Sequence, residues 1–260
     1  MQNNRPIGFF DSGLGGLSIL KEVKKLLPNE NIIFFADQKN FPYGQKTEPE
    51  LNAITKKISD FLLSYDIKIL VIACNTATCY SLKYLRSKFS LPIIGVVPAI
   101  KPAMRRSKKG KIAILSTPAT SSSFYLEKLI QEFARDAKVL KISCGGLEEA
   151  IEASDNKKVK NLVSSYSKKI KSFGADVVVL GCTHYPIVKD RFKKLFGPGI
   201  KIIDSASPIA KRIKELLTKS NSNSTSKVGD LFFTTKNAQK FSAFSSYYLN
   251  VQVVAKEVAI

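Results

Sequence analysis

Apolar and polar positions along this chain follow two alternating periods. Short unbroken apolar runs, typical of strands covered on both faces, alternate with longer stretches where apolar residues return every three or four positions. The first half predicts strands near 6–11, 31–36, 67–73 and 92–97, with helices near 15–27, 48–65 and 77–89. The second half predicts strands near 111–116, 138–142, 175–181 and 200–204, with helices near 121–135, 147–151, 155–173 and 186–196. Such alternation defines an α/β protein with mostly parallel sheets.

The two halves repeat one plan. Ile54 to Thr78 and Tyr166 to Pro186 each read as an amphipathic helix, a short turn, an apolar strand, a cysteine and a polar pair. Ile7-Gly8-Phe9-Phe10 running into Asp11-Ser12-Gly13 is matched by Ile112-Ala113-Ile114-Leu115 running into Ser116-Thr117-Pro118. The expected architecture is two similar lobes related by a pseudo-two-fold, with the active site in the cleft between them. The first lobe takes residues 1–98 and 206–260, the second 99–205. In open α/β sheets ligands gather at the carboxyl ends of strands, and the polar motifs sit there. Beyond Asp204 the pattern changes. Residues 207–217 predict a helix with Ser207 as N-cap and Pro208 at its first position. Lys219 to Lys227 reads as a mobile polar loop with no core residue. A strand at Leu231 to Thr234, a helix from about 236 and a strand at Val251 to Val254 are expected to pack back on the first lobe.

Composition narrows the class. With 44% apolar residues in 260, the chain can bury a substantial core without staples. No apolar run is long enough for a membrane span, and Met1 to Pro6 lacks a signal-peptide stretch, so a cytoplasmic placement is expected. The net charge of +20 raises a nucleic-acid-binding class. The lysines are spread over helix-like stretches, as in Lys21, Lys24, Lys25, Lys56, Lys57, Lys168, Lys169, Lys193 and Lys194, which reads as solvated faces. The field would still draw in an anionic substrate. The densest cluster, Arg105 to Lys111, reads as a turn. Four cysteines make no disulfide framework in a chain this long. There is no Cys-x-x-Cys, and His184 is the only histidine, which argues against a structural zinc site.

The chemistry centres on two of those cysteines. Cys74 ends the run Ile69 to Ala73 and precedes Asn75-Thr76, and Cys182 ends the run Val177 to Gly181 and precedes Thr183-His184. A lone strand-end cysteine is usually a small buried hydrophobe. Two of them, at equivalent places in a repeat and each followed by small polar groups, point to function. A helix N-terminus beside each would favour the thiolate. Asn75, Thr76 and Thr183 offer hydrogen bonds to a carboxylate, and His184 is placed to exchange protons near Cys182. Cys79 and Cys144 lack such a setting and read as structural.

Three further motifs surround them. Asp11-Ser12-Gly13-Leu14-Gly15-Gly16 is a tight turn or an N–H-rich ligand cradle. Its aspartate argues against phosphate and suits an ammonium group or a thiol nearby. Asn40-Phe41-Pro42-Tyr43-Gly44 reads as a loop with free backbone donors. Thr117 and Thr120 either complete a carboxylate pocket or cap the following helix. Two opposed thiols fit either a two-base proton transfer at carbon or a redox couple passing through a disulfide. Their wide separation in sequence, without a Cys-x-x-Cys, favours proton transfer.

Taken together, Phe10 to Gly16, Pro42-Tyr43-Gly44, Ala73 to Ala77, Gly95 to Ala103 and Gly181 to Pro186 resemble the glutamate racemase family, in order from about residue 7 to 255. The wider aspartate/glutamate racemases share the cysteine pairing, while Asp-Ser-Gly-x-Gly-Gly and Pro-Tyr-Gly point to the glutamate branch. The resemblance implies interconversion of L- and D-glutamate without pyridoxal phosphate or metal, feeding peptidoglycan synthesis. It implies Cys74 and Cys182 as acid/base residues assisted by Asp11 and His184. It implies Ser12, Tyr43, Gly44, Asn75, Thr76, Thr183 and His184, with Asp11, Thr117 and Thr120, around the substrate. The partner implied is the small-molecule substrate; a homodimer is compatible with it, and no nucleic acid or membrane is called for. The alternatives are a racemase of aspartate or another acidic amino acid and, in a different class, a basic nucleic-acid-binding protein. Asn40-Phe41 before Pro-Tyr-Gly and Ser116 depart from the commoner pattern.

Overall fold

A computed structural model describes residues 3–260 and divides the chain into two compact units. One comprises the chain up to Val96 together with Ala206–Ile260, and the other is Val97–Ser205.

In the first unit, β1 (Ile7–Asp11), α1 (Leu17–Leu26), β2 (Ile32–Ala36), α2 (Glu48–Leu63), β3 (Ile69–Ile72), α3 (Asn75–Lys88) and β4 (Ile93–Gly95) form the leading part. The second unit carries α4 (Ile100–Arg106), β5 (Lys111–Ser116), α5 (Pro118–Ser122), α6 (Phe124–Phe133), β6 (Lys138–Ser143), α7 (Leu147–Glu152), α8 (Asn156–Phe173), β7 (Val177–Leu180), α9 (Lys189–Phe196) and β8 (Lys201–Ile203). The chain then returns to the first unit with α10 (Ala206–Lys219), β9 (Leu231–Thr234), α11 (Ala238–Leu249) and β10 (Ala255–Glu257).

Both sheets are parallel throughout. The second unit has the order β6-β5-β7-β8, and the first has β10-β9-β2-β1-β3-β4. Without β9 and β10, which extend the β2 edge, the two orders are the same. The strand interiors are apolar in unbroken runs because helices cover both faces. In the second unit Ala113, Leu115, Val178 and Leu180 join the core with Val163, Ile170 and Phe192, while Ile112, Ile114, Val177 and Val179 pack on the other face with Ala103 and Leu126. In the first unit Leu70, Ile72 and Cys74 share one core face with Phe10, Leu51, Ile58 and Leu85. By the two-residue period of a strand, Cys74 and Cys182 continue the same face of β3 and β7.

Local chemistry sets several helix ends. Glu50 accepts the Thr47 backbone N–H at 2.8 Å, closing a capping box at the start of α2. Asp155 accepts Lys158 N–H at 2.9 Å at the start of α8, and Gly174 ends that helix at φ 76°, in the left-handed region.

The structure corrects several sequence expectations. The basic stretch expected as a turn begins inside α4, where Arg105 and Arg106 form the last turn. The helix expected at 121–135 is two helices, broken at Ser123, whose hydroxyl caps the second by accepting Leu126 N–H at 3.1 Å. Ser207 and Pro208 lie inside the first turn of α10, so Ser207 is not its N-cap. The last strand lies at Ala255–Glu257, after the expected Val251 to Val254. The serine-rich segment does contain a buried residue. Ser224 donates its backbone N–H and its hydroxyl to Glu30 at 2.8 and 3.0 Å, beside the buried Lys68–Glu30 ion pair. No helix among the described residues is long and apolar enough to cross a membrane.

Candidate active-site residues

In the first unit β1 and β3 lie side by side, with Phe10 opposite Ile72. The segments at their carboxyl ends, Asp11-Ser12-Gly13 and Ala73-Cys74-Asn75, therefore converge. Asp11 Oδ1 accepts Gly13 N–H at 2.8 Å and the Ser12 hydroxyl at 3.5 Å, and Ser12 Oγ lies 4.0 Å from Cys74 Sγ. Cys74 is the N-cap residue of α3, a 14-residue helix, so its sulfur sits where the helix favours negative charge. Asn75 Nδ2 donates to Val96 O at 3.2 Å, tying the loop after β4 to the start of α3. Thr76 is buried in the first turn. Gly16 permits this convergence: a Cβ there would stand 2.8 Å from Asp11 Cβ and 3.1 Å from Ala73 Cβ.

Tyr43 and Gly44 lie in a short 3₁₀ turn, Tyr43–Gln45, that follows the cis Phe41–Pro42 bond. The Tyr43 ring belongs to the same apolar cluster as Cys74 and Phe10, and its hydroxyl donates to Asp37 at 2.7 Å. Burial holds that hydroxyl protonated far above its usual range, with the negative charge of Asp37 adding to the effect. Gly44, with no side chain, offers only its backbone.

In the second unit β5 and β7 repeat this arrangement, with Leu115 opposite Leu180. Gly181 donates to Leu115 O at 2.7 Å, and a Cβ there would stand 3.0 Å from the same oxygen. Cys182 follows. Its Sγ lies 3.7 Å from Glu148 Oε2 and 3.8 Å from His184 Nδ1. The other ring nitrogen, Nε2, is 2.8 Å from Glu152 Oε1. Thr183 is buried between these residues in the chain. Thr117 is the N-cap of α5, accepting Thr120 N–H at 3.2 Å, with 3.0 Å between their hydroxyls. Ser116, at the place that Asp11 holds in the first unit, is buried with no hydrogen-bond partner for its hydroxyl.

The helix expected at 186–196 begins instead as a 3₁₀ turn, Tyr185–Val188, and becomes α-helical only at Lys189. Pro186 cannot donate a backbone hydrogen bond. Cys182 therefore has no α-helix N-terminus immediately after it, and carboxylate and imidazole groups surround it instead.

Glu148 and Glu152 escaped the sequence reading. In Leu147-Glu148-Glu149-Ala150-Ile151-Glu152 they pass for the solvated face of a short helix. Their i, i+4 spacing, which puts both carboxylates on one face, was the available signal. Of the other two thiols, Cys144 is buried, and that burial pushes its thiol up strongly. Cys79 is half-buried within α3.

Comparison with known proteins defines the class. The Asp/Glu/hydantoin racemase family model matches residues 15–213, and the chain belongs to that family, among its glutamate racemases. It is 39% identical to a glutamate racemase of Herpetosiphon aurantiacus over 82% of this chain and 85% of that protein. A glutamate racemase isoform from Bacillus anthracis superposes with a TM-score of 0.91 at 30% identity, covering 100% of this chain and 99% of the other. The Francisella tularensis glutamate racemase, solved in complex with D-glutamate, gives a TM-score of 0.86 at 28% identity, with 98% of each chain covered.

Proposed function

We propose that this protein interconverts L- and D-glutamate by a two-base proton transfer, with Cys74 and Cys182 as the two bases. One observation carries the proposal. Each unit places a cysteine two residues past the end of the strand beside its first strand, on the same strand face, in sheets of the same order. Two equivalent thiols from two units suit removal of a proton from one face of a carbon and its replacement on the other. The glutamate-named relatives, similar over most of their length, support glutamate over aspartate as the substrate.

In one direction the thiolate of one cysteine takes the Cα proton and becomes a thiol. The electron pair left on Cα is delocalised toward the adjacent carboxylate. The other cysteine then gives its thiol proton to the opposite face and is left as the thiolate. The enzyme ends with its proton on the other sulfur, ready for the reverse reaction or for exchange with water. Asp11 and Ser12 serve the Cys74 side; His184, with Glu148 and Glu152, serves the Cys182 side. Backbone donors at Gly44 and at the starts of α3 and α5, with Asn75, Thr76, Thr117, Thr120 and Thr183, hold the substrate and the developing charge. The product would feed peptidoglycan synthesis.

Incubation of L-glutamate with the protein in D2O tests this. Loss of the α-proton signal together with appearance of D-glutamate is expected, with a slower or absent reaction on aspartate. Neither exchange nor D-glutamate would refute it.

A further inference from the structure

Glu148, Cys182 and His184 place a carboxylate oxygen, a sulfur and an imidazole nitrogen within 4.8 Å of one another, all on buried residues. We propose that these three side chains form an inhibitory binding site for a soft or borderline divalent cation, of which zinc is the prototype.

The two edges at the sulfur match a three-ligand tetrahedral site. Zinc bonds of about 2.0–2.3 Å put tetrahedral ligand atoms about 3.3–3.8 Å apart. The sulfur stands 3.7 Å from Glu148 Oε2 and 3.8 Å from His184 Nδ1. The carboxylate oxygen and the imidazole nitrogen lie within 4.8 Å of each other, so closing onto a metal asks them to approach by up to about 1–1.5 Å, within the reach of a glutamate rotation. The surroundings complete the case. A metal-binding imidazole needs its lone pair on the ligating nitrogen and its N–H held by an acceptor on the other side. Glu152 Oε1, 2.8 Å from His184 Nε2, is that acceptor, and it selects the tautomer with the Nδ1 lone pair aimed toward Cys182. A thiolate, an imidazole and one carboxylate favour zinc, cobalt or cadmium over magnesium or calcium. Three protein ligands leave the fourth tetrahedral position to water or to a substrate oxygen.

The chemistry balances simply. The Cys182 thiol loses its proton to solvent as the sulfur–metal bond forms, and no electrons change hands. A metal-held Cys182 can neither take a proton from Cα nor return one. The inhibitory consequence rests on the racemase reading above; the binding does not. The sequence holds no Cys-x-x-Cys pair of structural zinc ligands. The present group is assembled instead from α7 and the segment after β7, which only the fold brings together.

Cobalt titration of the full-length, metal-stripped, reduced protein is the test, because cobalt bound to thiolate absorbs in the near ultraviolet and tetrahedral cobalt absorbs in the visible. One cobalt per chain with both features is expected, and zinc should displace it. Cys182→Ser should abolish the thiolate band, and Glu148→Gln and Glu152→Gln should each weaken binding about tenfold or more. Cys74→Ser should keep the band, with circular dichroism confirming that every variant is folded. Racemisation should fall in proportion to zinc occupancy and return with chelator. No stoichiometric band, a band that survives Cys182→Ser, or one lost in Cys74→Ser would overturn the site. A site that fills while racemisation is unchanged would overturn the inhibition and leave the binding in place.

Discussion

Strand β3 of the first unit starts after a buried lysine, and strand β7 of the second starts after a buried aspartate. The two residues occupy equivalent places: Lys68 N–H bonds to Pro6 O beside the start of β1, and Asp176 N–H bonds to Lys111 O at the start of β5. Lys68 pairs with Glu30 at 2.7 Å and donates to Asn3 O, Ser222 O and Ser224 Oγ. Asp176 accepts the Ser107 hydroxyl and the Lys108 and Lys109 N–H groups at 2.6, 2.6 and 3.0 Å. At the other end each strand delivers a cysteine. Cys74 is given a long helix and a serine and aspartate, while Cys182 is given a histidine and two glutamates. One topology has thus been retained in both units, with different charges at both ends of the strand. Placement of the thiols follows from the repeated backbone, whereas the polar and charged groups beside them do not repeat.

The largest effect expected is on the thiols themselves. Cys74→Ser and Cys182→Ser should each lower racemisation by roughly 10³-fold, as loss of a proton-transfer group does. Cys144→Ser should leave it within about twofold, because that thiol lies in the core and takes no part. If either strand-end variant retained more than a tenth of wild-type activity, the equivalence of the two cysteines would be broken.

Next comes the lysine end. Replacing Lys68 by Met leaves Glu30 buried without its counter-charge, which costs about 3 kcal/mol of unfolding free energy by the general behaviour of buried pairs. Denaturant titration checks this. The double variant Lys68→Met, Glu30→Gln should recover part of the loss, because the stranded charge goes with it. Full cost in the double variant would mean that Lys68 acts through its bonds to Asn3, Ser222 and Ser224 rather than through the ion pair.

The aspartate end should matter less and should depend on pH. Burial alone would raise the Asp176 carboxyl, but the Ser107 hydroxyl and the two backbone donors outweigh it and hold the group below its usual range. A carboxyl held low in the folded state stabilises fully above its unfolded pKa near 3.8 and loses that contribution as pH falls through the folded value. Asp176→Asn should therefore cost about 1–2 kcal/mol near pH 7 and distinctly less at pH 3. Equal costs at the two pH values would show that charge at Asp176 is not what holds the base of β7.

How far the sequence carried this comparison follows from the kind of signal each part leaves. The central strands are apolar runs ended by glycine or polar turns, and they lie within a residue or two of where the pattern put them. Parallel pairing of β9 with β2 closes the first unit from the far end of the chain. The cysteines, Asp11 and His184 stand out because a reactive group at a strand end is unusual. Ser224 left no such mark, since one buried serine in a run of serines is invisible until Glu30 and Lys68 are folded against it. The 3₁₀ turn at Tyr185–Val188 was hidden by a helical pattern that Pro186 postpones by one turn. Glu148 and Glu152 were overlooked for the opposite reason. Glutamate is ordinary on a helix, and only tertiary packing turns α7 so that both carboxylates meet the Cys182–His184 pair.

Those glutamates supply the smallest effect and the sharpest test of how the halves differ. Glu152 Oε1 lies 2.8 Å from His184 Nε2, so it acts as a positioning residue through the imidazole. Glu152→Gln can preserve one hydrogen bond and remove the charge. It should lower kcat about tenfold and shift the limb of the pH–rate profile that reports the His184 side, while the thermal midpoint stays close to wild type. Ser12→Ala, the change beside the other thiol, should reduce activity without moving that limb, because no titrating group is lost. A purely structural role for Glu152 would reverse this pattern, lowering the melting temperature and leaving the pH profile where it was. In that event the unlike neighbours of the two thiols would be differences of packing, and the two cysteines would divide the proton transfer evenly despite them.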